Sequence, residues 1–158
     1  MKTLEKLLGE ICKAILPIKE EVFYGNPNSS IAICTLSSID LLRSLSQPKF
    51  LQSVALVGRL LSENKGIDSL IQYVNANPKI KTIVLCGNEV WGHKSGHSLL
   101  ALHKNGIDKN HNIINSASPD PFLNLTKLEV KKFQNQVRII DMIGETNQEK
   151  IIQTIESV

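Results

Sequence analysis

Aromatic residues are scarce in this sequence, with one tryptophan, two tyrosines and four phenylalanines among 158 residues. A core built from it must be filled by aliphatic side chains. Cysteine is also sparse: Cys12, Cys34 and Cys86 are an odd number at wide spacing with no C-x-x-C pair. That argues against a disulfide framework or a thiolate zinc site and leaves reduced, buried thiols. No apolar stretch reaches membrane-spanning length, and the start shows no basic-then-apolar leader with a small-residue cleavage site. The chain therefore reads as cytoplasmic, without a membrane span. Charge of neither sign dominates: the net charge is +3, and the densest basic pair, Lys131 with Lys132, falls in a helical pattern rather than a stripe, so nucleic acid is not an expected partner. Hydrophobic residues at 42% and charged residues at 21% are ordinary globular usage, and the length suits one domain over residues 1–158.

What the sequence does contain is an alternation of two periods. Leu4, Leu7, Leu8, Ile11 and Ile15 recur at helical spacing ahead of Pro17, so residues 1–17 are expected to hold an amphipathic helix whose stripe packs on the domain or on a second copy, giving a homo-oligomer. Tyr24-Gly25-Asn26-Pro27-Asn28 reads as a turn. Five β-rich runs follow, at 30–36, 54–57, 82–86, 112–114 and 137–140, without the sharp alternation of a half-exposed strand. Helical patterns lie at 39–46, 66–74, 93–104, 125–136 and 148–157. Such alternation predicts an α/β fold, a Rossmann-like three-layer sandwich with a mostly parallel sheet of five or six strands and helices on both faces.

In sheets of that kind ligands bind beyond the carboxyl ends of the strands, near a reversal in strand order. Four loops qualify: 35–38, 58–66, 86–96 and 116–122. The richest is Cys86-Gly87-Asn88-Glu89-Val90-Trp91-Gly92-His93-Lys94-Ser95-Gly96-His97. Three glycines around one histidine allow sharp turns and close approach to something flat or large. His93, just after Gly92 at the mouth of the sheet, is placed to offer one ring nitrogen to a metal held in a cofactor. Its other nitrogen then needs an acceptor, for which Glu89, Ser37 and Glu63 are candidates.

Other readings of these residues stay open. On a regular helix His93 and His97 would share a face and chelate a metal ion, although no glutamate follows the first histidine as a metalloprotease requires. Gly87 and Gly92 have the spacing of a phosphate-binding loop, but His93 stands where its lysine belongs. Ser37, His93 and Asp141 supply the residue types of a hydrolytic triad, without the G-x-S-x-G elbow that exposes a nucleophile.

The run Thr82-Ile-Val-Leu-Cys-Gly-Asn-Glu-Val-Trp-Gly-His93-Lys-Ser-Gly-His-Ser-Leu-Leu-Ala-Leu-His103-Lys-Asn-Gly-Ile-Asp108 resembles the cobalamin-binding component of tetrahydromethanopterin S-methyltransferase from methanogenic archaea. Ser62-Glu-Asn-Lys-Gly-Ile-Asp68, Pro121-Phe-Leu-Asn124, Phe133-Gln-Asn-Gln-Val137 and Ile140-Asp-Met-Ile143 follow the family's order, so the resemblance covers the chain from about the first strand to Asp141. It implies a corrinoid, cobalamin or a related cobamide, with His93 as the lower axial ligand of cobalt. In the family the cobalt takes a methyl group from methyl-tetrahydromethanopterin and passes it to coenzyme M, in a membrane complex that exports sodium. The implied partners are the corrinoid and the proteins that bring methyl donor and acceptor.

Around the ring, the resemblance and the loop rule together place Thr35, Leu36 and Ser37; Ser62, Glu63, Asn64 and Gly66; Cys86, Gly87, Glu89, Val90, Trp91, Gly92, Gly96 and His97; and Ala117, Ser118, Pro121 and Phe122. Two positions depart from the family pattern: His97 replaces an expected glutamine and Trp91 an expected polar residue. Membrane-bound members continue into a transmembrane anchor, whereas this sequence ends in a polar helix, so the chain is expected to be either a stand-alone relative or the cytoplasmic domain of a membrane-bound member, with the amphipathic start favouring the first. The rivals to a corrinoid carrier are a non-catalytic relative that has lost the corrinoid and a small metal-binding protein using His93 and His97.

Overall fold

The computed structural model describes residues 21–158. One five-stranded sheet runs through it, formed by β1 (Val22–Tyr24), β2 (Ile31–Cys34), β3 (Leu56–Gly58), β4 (Thr82–Gly87) and β5 (Arg138–Ile143) in the spatial order β1-β3-β2-β4-β5. The four strands β3, β2, β4 and β5 are parallel, and β1 pairs antiparallel with β3 through Val22 opposite Gly58. The sheet is thus mixed rather than mostly parallel. The helices are α1 (Ile39–Leu45), α2 (Pro48–Leu51), α3 (Lys65–Ala76), α4 (Ser95–Asn105), α5 (Lys127–Gln136) and α6 (Gln148–Glu156). The amphipathic stretch expected at 1–17 lies outside the described residues.

The central strands β2 and β4 are buried along their whole lengths, which is why their sequences are unbroken apolar runs. Alternate residues feed two cores. Ala32, Cys34, Ile83 and Leu85 join Ile67 and Ile71 of α3, Leu99 and Leu102 of α4 and Phe133 of α5. Ile31, Ile33, Val84 and Cys86 join Leu41, Leu42 and Leu45 of α1 and Ile151 and Ile155 of α6. Because neighbouring residues on a strand point to opposite faces, these clusters lie on the two sides of the sheet, and helices cover both.

Two strand expectations change. The run at 112–114 makes only isolated bridges, Ile107 with Ile113 and Asn112 with Phe122; Ile113 is buried, but as the anchor of a loop. The fifth strand is β1, which abuts the Gly25–Asn28 turn and is too short to show a period. α2 also escapes the apolar pattern, since none of its residues is buried.

The parallel strands run in the spatial order β3-β2-β4-β5, so the chain moves outward from β2 to β3 and then crosses back to β4. The reversal lies between the carboxyl ends of β2 and β4, the place where open α/β sheets bind ligands. The loops 35–38 and 88–94 meet there.

Candidate functional site

The two loops at the reversal are stitched together. Asn88 N–H donates to Ser38 Oγ at 2.8 Å, while the Ser37 amide and hydroxyl both donate to the Asn88 carbonyl, at 3.1 and 2.8 Å. Arg59, at the end of β3, adds a third strand end by donating to the carbonyls of Leu36 and Ser37. The packing is tight enough that a Cβ on Gly87 would lie 2.3 Å from the Thr35 carbonyl oxygen.

Gly87 and Gly92 share a left-handed φ of +79° but differ in surroundings, since a Cβ on Gly92 would meet nothing within 4 Å. Gly92→Ala is therefore expected to cost about 1 kcal/mol, the conformational penalty alone. Gly87→Ala adds a backbone collision and should cost about 3 kcal/mol. Denaturant titration of the two variants measures the difference.

Between these glycines the turn is closed by Glu89. Its carboxylate accepts from the amides of Val90, Gly96 and His97 and from His97 Nδ1, the last at 2.5 Å. Gly96 and His97 open α4, so the carboxylate occupies the positive end of that helix. Partial burial opposes ionisation, but these hydrogen bonds outweigh it and hold Glu89 below its ordinary value of 4.5. A carboxyl depressed on folding stabilises above its unfolded pKa, and that contribution fades as pH falls through the lower folded value. Glu89→Gln should accordingly lose about 1–3 kcal/mol at neutral pH, with the gap to wild type narrowing below pH 4.5; melting curves over that range check it.

His93 stands between two left-handed residues, Gly92 and Lys94, the latter at φ +50°. Its side chain lies against a buried carboxylate: Nδ1 is 2.7 Å from Oε2 of Glu63, a residue with no solvent exposure. Glu63 also accepts the Asp120 amide at Oε1, 3.2 Å away. A neutral ring that donates Nδ1–H to this carboxylate keeps its lone pair on Nε2. Although His93 is only 7% exposed, Nε2 has no hydrogen-bond partner among the described residues. It keeps some contact with solvent, because among the described residues the one fully buried side-chain atom without a partner is Asn75 Oδ1, in α3. From the backbone side, Ser118 Oγ donates to the His93 carbonyl at 2.6 Å.

The residues picked from sequence divide by depth. Ser37, Ser62, Asn64, Glu89, Gly92 and Pro121 are half-buried, and Trp91, His97, Ala117 and Phe122 are exposed. Thr35, Leu36, Glu63, Gly66, Cys86, Gly87, Val90, Gly96 and Ser118 face inward, where they hold the loops in place. Of the three candidate partners for His93, Glu63 is the one it meets, while Glu89 is engaged by His97 and Ser37 bonds to backbone. Nothing in the local sequence points to Asp120, Ser98, Ser116 or Arg59, whose roles come from contacts more than fifteen residues apart.

Two alternatives are corrected by the geometry. α4 begins at Ser95, so His93 is not on a helix with His97, and the two rings turn to different carboxylates. Among the described residues no group of three His, Cys, Asp or Glu side chains is arranged to hold a metal ion. The hydrolytic triad does not assemble either, because Asp141 Oδ1 accepts the Ile143 amide while His93 is held by Glu63. His103 and His111 donate to the carbonyls of Val137 and Leu125 and serve as structural braces. An apolar groove lined by Tyr24, Leu56, Leu70 and Tyr73 lies elsewhere, without His93 among its walls.

The family model for the A component of tetrahydromethanopterin S-methyltransferase (MtrA) matches residues 12–158. The chain belongs to this family. Among MtrA-related proteins, it is 40% identical over 149 residues to the A component of the putative methyltransferase Mtx of Methanosarcina barkeri, covering 94% of this chain and 72% of that protein. The tetrahydromethanopterin S-methyltransferase A component of Methanohalophilus mahii is 34% identical over 129 residues, covering 80% of this chain and 51% of the relative. That of Methanocaldococcus jannaschii is 35% identical over 141 residues, with 88% and 57% covered. The chain thus spans little more than half the length of these last two relatives. Among the described residues no helix is long and apolar enough to cross a membrane.

Proposed function

We propose that this chain is the corrinoid-carrying component of a methyltransferase system, with His93 as the axial ligand beneath the cobalt of cobalamin or a related cobamide. The observation that carries this reading is the division of labour within the imidazole. Nδ1 is committed to the buried carboxylate of Glu63 at 2.7 Å, and Nε2 is left without a partner among the described residues. Histidines that ligate metals are held in this way, because the carboxylate fixes the tautomer and raises the basicity of the free nitrogen.

The rest of the site fits a large flat group. Trp91 is 81% exposed and Phe122 44% exposed, so the loops on either side of His93 in sequence each offer an aromatic surface, which a tetrapyrrole covers favourably. Gly92 leaves open space beside the histidine. When bound, the corrinoid supplies a cobalt centre that takes up and gives away a methyl group. The chain's own residues do the positioning: Glu63 aims the ring, Glu89 closes the turn on α4, and Gly87 packs that turn on the Thr35 backbone. Methyl donor and acceptor are brought by partner proteins, of the tetrahydromethanopterin and coenzyme M type that the MtrA family suggests. The same reading places the chain in the cytoplasm as a Rossmann-like domain.

The test is reconstitution. The purified apoprotein is mixed with hydroxocobalamin, separated from unbound corrinoid by gel filtration, and its visible spectrum recorded. One corrinoid retained per chain, with an absorbance shift that denotes imidazole coordination, is the expected result; protein emerging colourless overturns the reading.

A further inference from the structure

Three serine hydroxyls form a one-way chain that ends on the backbone of His93. A hydroxyl has a single proton to give. Ser118 gives its proton to the His93 carbonyl at 2.6 Å, since a carbonyl can only accept. Its bond to Ser98 must then be donated by Ser98. Ser98 having used its proton, the 2.8 Å contact between Ser98 and Ser116 must be donated by Ser116. Ser116 in turn accepts the Ser118 amide at 3.2 Å. Each hydroxyl takes one bond and gives its single proton onward, that of Ser118 lying mainly on the His93 carbonyl and secondarily on the Lys94 carbonyl at 3.3 Å, and hydrogen bonds joined in this sense strengthen one another. Ser98 has no solvent exposure and Ser118 has 6%, so water is a poor substitute for either.

The chain terminates on a particular peptide. The His93 carbonyl belongs to the unit joining His93 to Lys94, and Lys94 is left-handed, at φ +50° and ψ +44°. A residue with a Cβ disfavours that region by about 1–2 kcal/mol. Rotation of this peptide plane would change the ψ of His93 and the φ of Lys94 together, letting Lys94 relax, and would also break the 2.9 Å bond from the Lys94 N–H to the Val90 carbonyl, so that the turn carrying the histidine would shift. The peptide is held at both ends, its N–H by the Val90 carbonyl and its carbonyl by the Ser118 hydroxyl, which is the side-chain half of that restraint.

We infer that Ser118, backed by Ser98 and Ser116, is a positioning residue that pins the His93–Lys94 peptide and so keeps the imidazole seated on Glu63 through Nδ1, with Nε2 left unpartnered. Its importance for cobalt rests on the corrinoid reading above; its hold on the imidazole does not. Ser118 therefore serves the site from behind, through the backbone, rather than by touching the cofactor.

The inference is tested on the apoprotein by following the His93 ring in nitrogen-edited NMR, where slow exchange with water is the expected behaviour of a buried Nδ1 proton shared with Glu63. In Ser118→Ala that exchange should quicken roughly tenfold, the equivalent of one lost hydrogen bond, and Ser118→Thr, which keeps the hydroxyl, should restore it. Lys94→Gly supplies a second arm. Glycine occupies the left-handed region at no steric cost, so Lys94→Gly in the Ser118→Ala background should return the exchange to within about twofold of wild type. A merely structural serine would lower the melting temperature without moving this proton, and no change in its exchange in Ser118→Ala overturns the inference. So does an unchanged defect in the double variant. Because cobalamin is absent from these measurements, failure of the apoprotein to retain hydroxocobalamin would defeat the corrinoid reading alone and leave this result standing.

Discussion

Replacing His93 by asparagine is expected to abolish imidazole coordination in the reconstituted protein while leaving the domain folded. The choice of residue matters. Alanine would strip Glu63 Oε2 of the ring nitrogen it accepts from and leave a buried acceptor unpaired, at about 1–3 kcal/mol. The asparagine amide nitrogen can take the place of Nδ1, preserving the bond that measures 2.7 Å in the native site, yet it offers nothing where Nε2 stood. Corrinoid retention should fall by more than about a hundredfold, because residues that only support a metal ligand typically contribute 10–100-fold. Comparing His93→Asn with His93→Ala separates the ligand from the packing. Equal loss of cofactor with unequal loss of stability is the expected pattern, and retention of the imidazole spectrum in the asparagine variant would exclude His93 as the ligand.

Glu63 is expected to give the largest effect on stability. Its two oxygens serve two donors, the His93 ring and the Asp120 amide, and the residue is completely buried. Asp120 in turn accepts from Asn64 at 3.0 Å, so the carboxylate ties the loop before α3 and the loop at 116–122 to the histidine. Glu63→Ala removes both acceptors and opens a cavity, which should cost about 3–5 kcal/mol and lower the melting temperature by roughly 10 °C for a chain of this size. Glu63→Gln is the sharper probe. Its shape is retained, but one of its two heads becomes an NH2 that either faces the Asp120 N–H, donor against donor, or faces Nδ1 and drives the ring proton to Nε2, where it covers the lone pair a metal would use. A loss of about 1–3 kcal/mol is expected, together with 10–100-fold weaker corrinoid binding. Calorimetry and reconstitution on the same two proteins give both numbers. If Glu63→Gln matched wild type in cofactor affinity, Glu63 would be a core residue and nothing more.

The sequence and the structure agree where local physics decides. Unbroken apolar runs marked β2 and β4 because those strands are covered on both faces, and periods of three and four marked α3, α4, α5 and α6 because each buries one stripe. The turn from 86 to 97 was legible for a different reason: three glycines around one histidine are costly to keep unless the backbone needs them, and Gly87 and Gly92 are indeed left-handed. The failures also have causes. Val22, Phe23 and Tyr24 make a strand only through β3, a pairing thirty-odd residues away. Ile113 is buried as a strand residue would be, but within a loop. His93 and Lys94 continue the helical pattern of α4 in sequence, yet the left-handed Lys94 starts the helix two residues late, and this separates His93 from His97. Least legible was the carboxylate behind the histidine. Glu63 was one of three acidic or hydroxyl candidates, and only the packing of three loops selects it.

One consequence of the turn's shape is optical. Trp91 is the sole indole of the chain, and it stands almost bare two residues from His93. The protein's intrinsic indole emission therefore originates from the rim of the site and from nowhere else. Whatever settles on that rim dims or shifts the light directly, so occupancy can be followed in the unlabelled molecule at a glance.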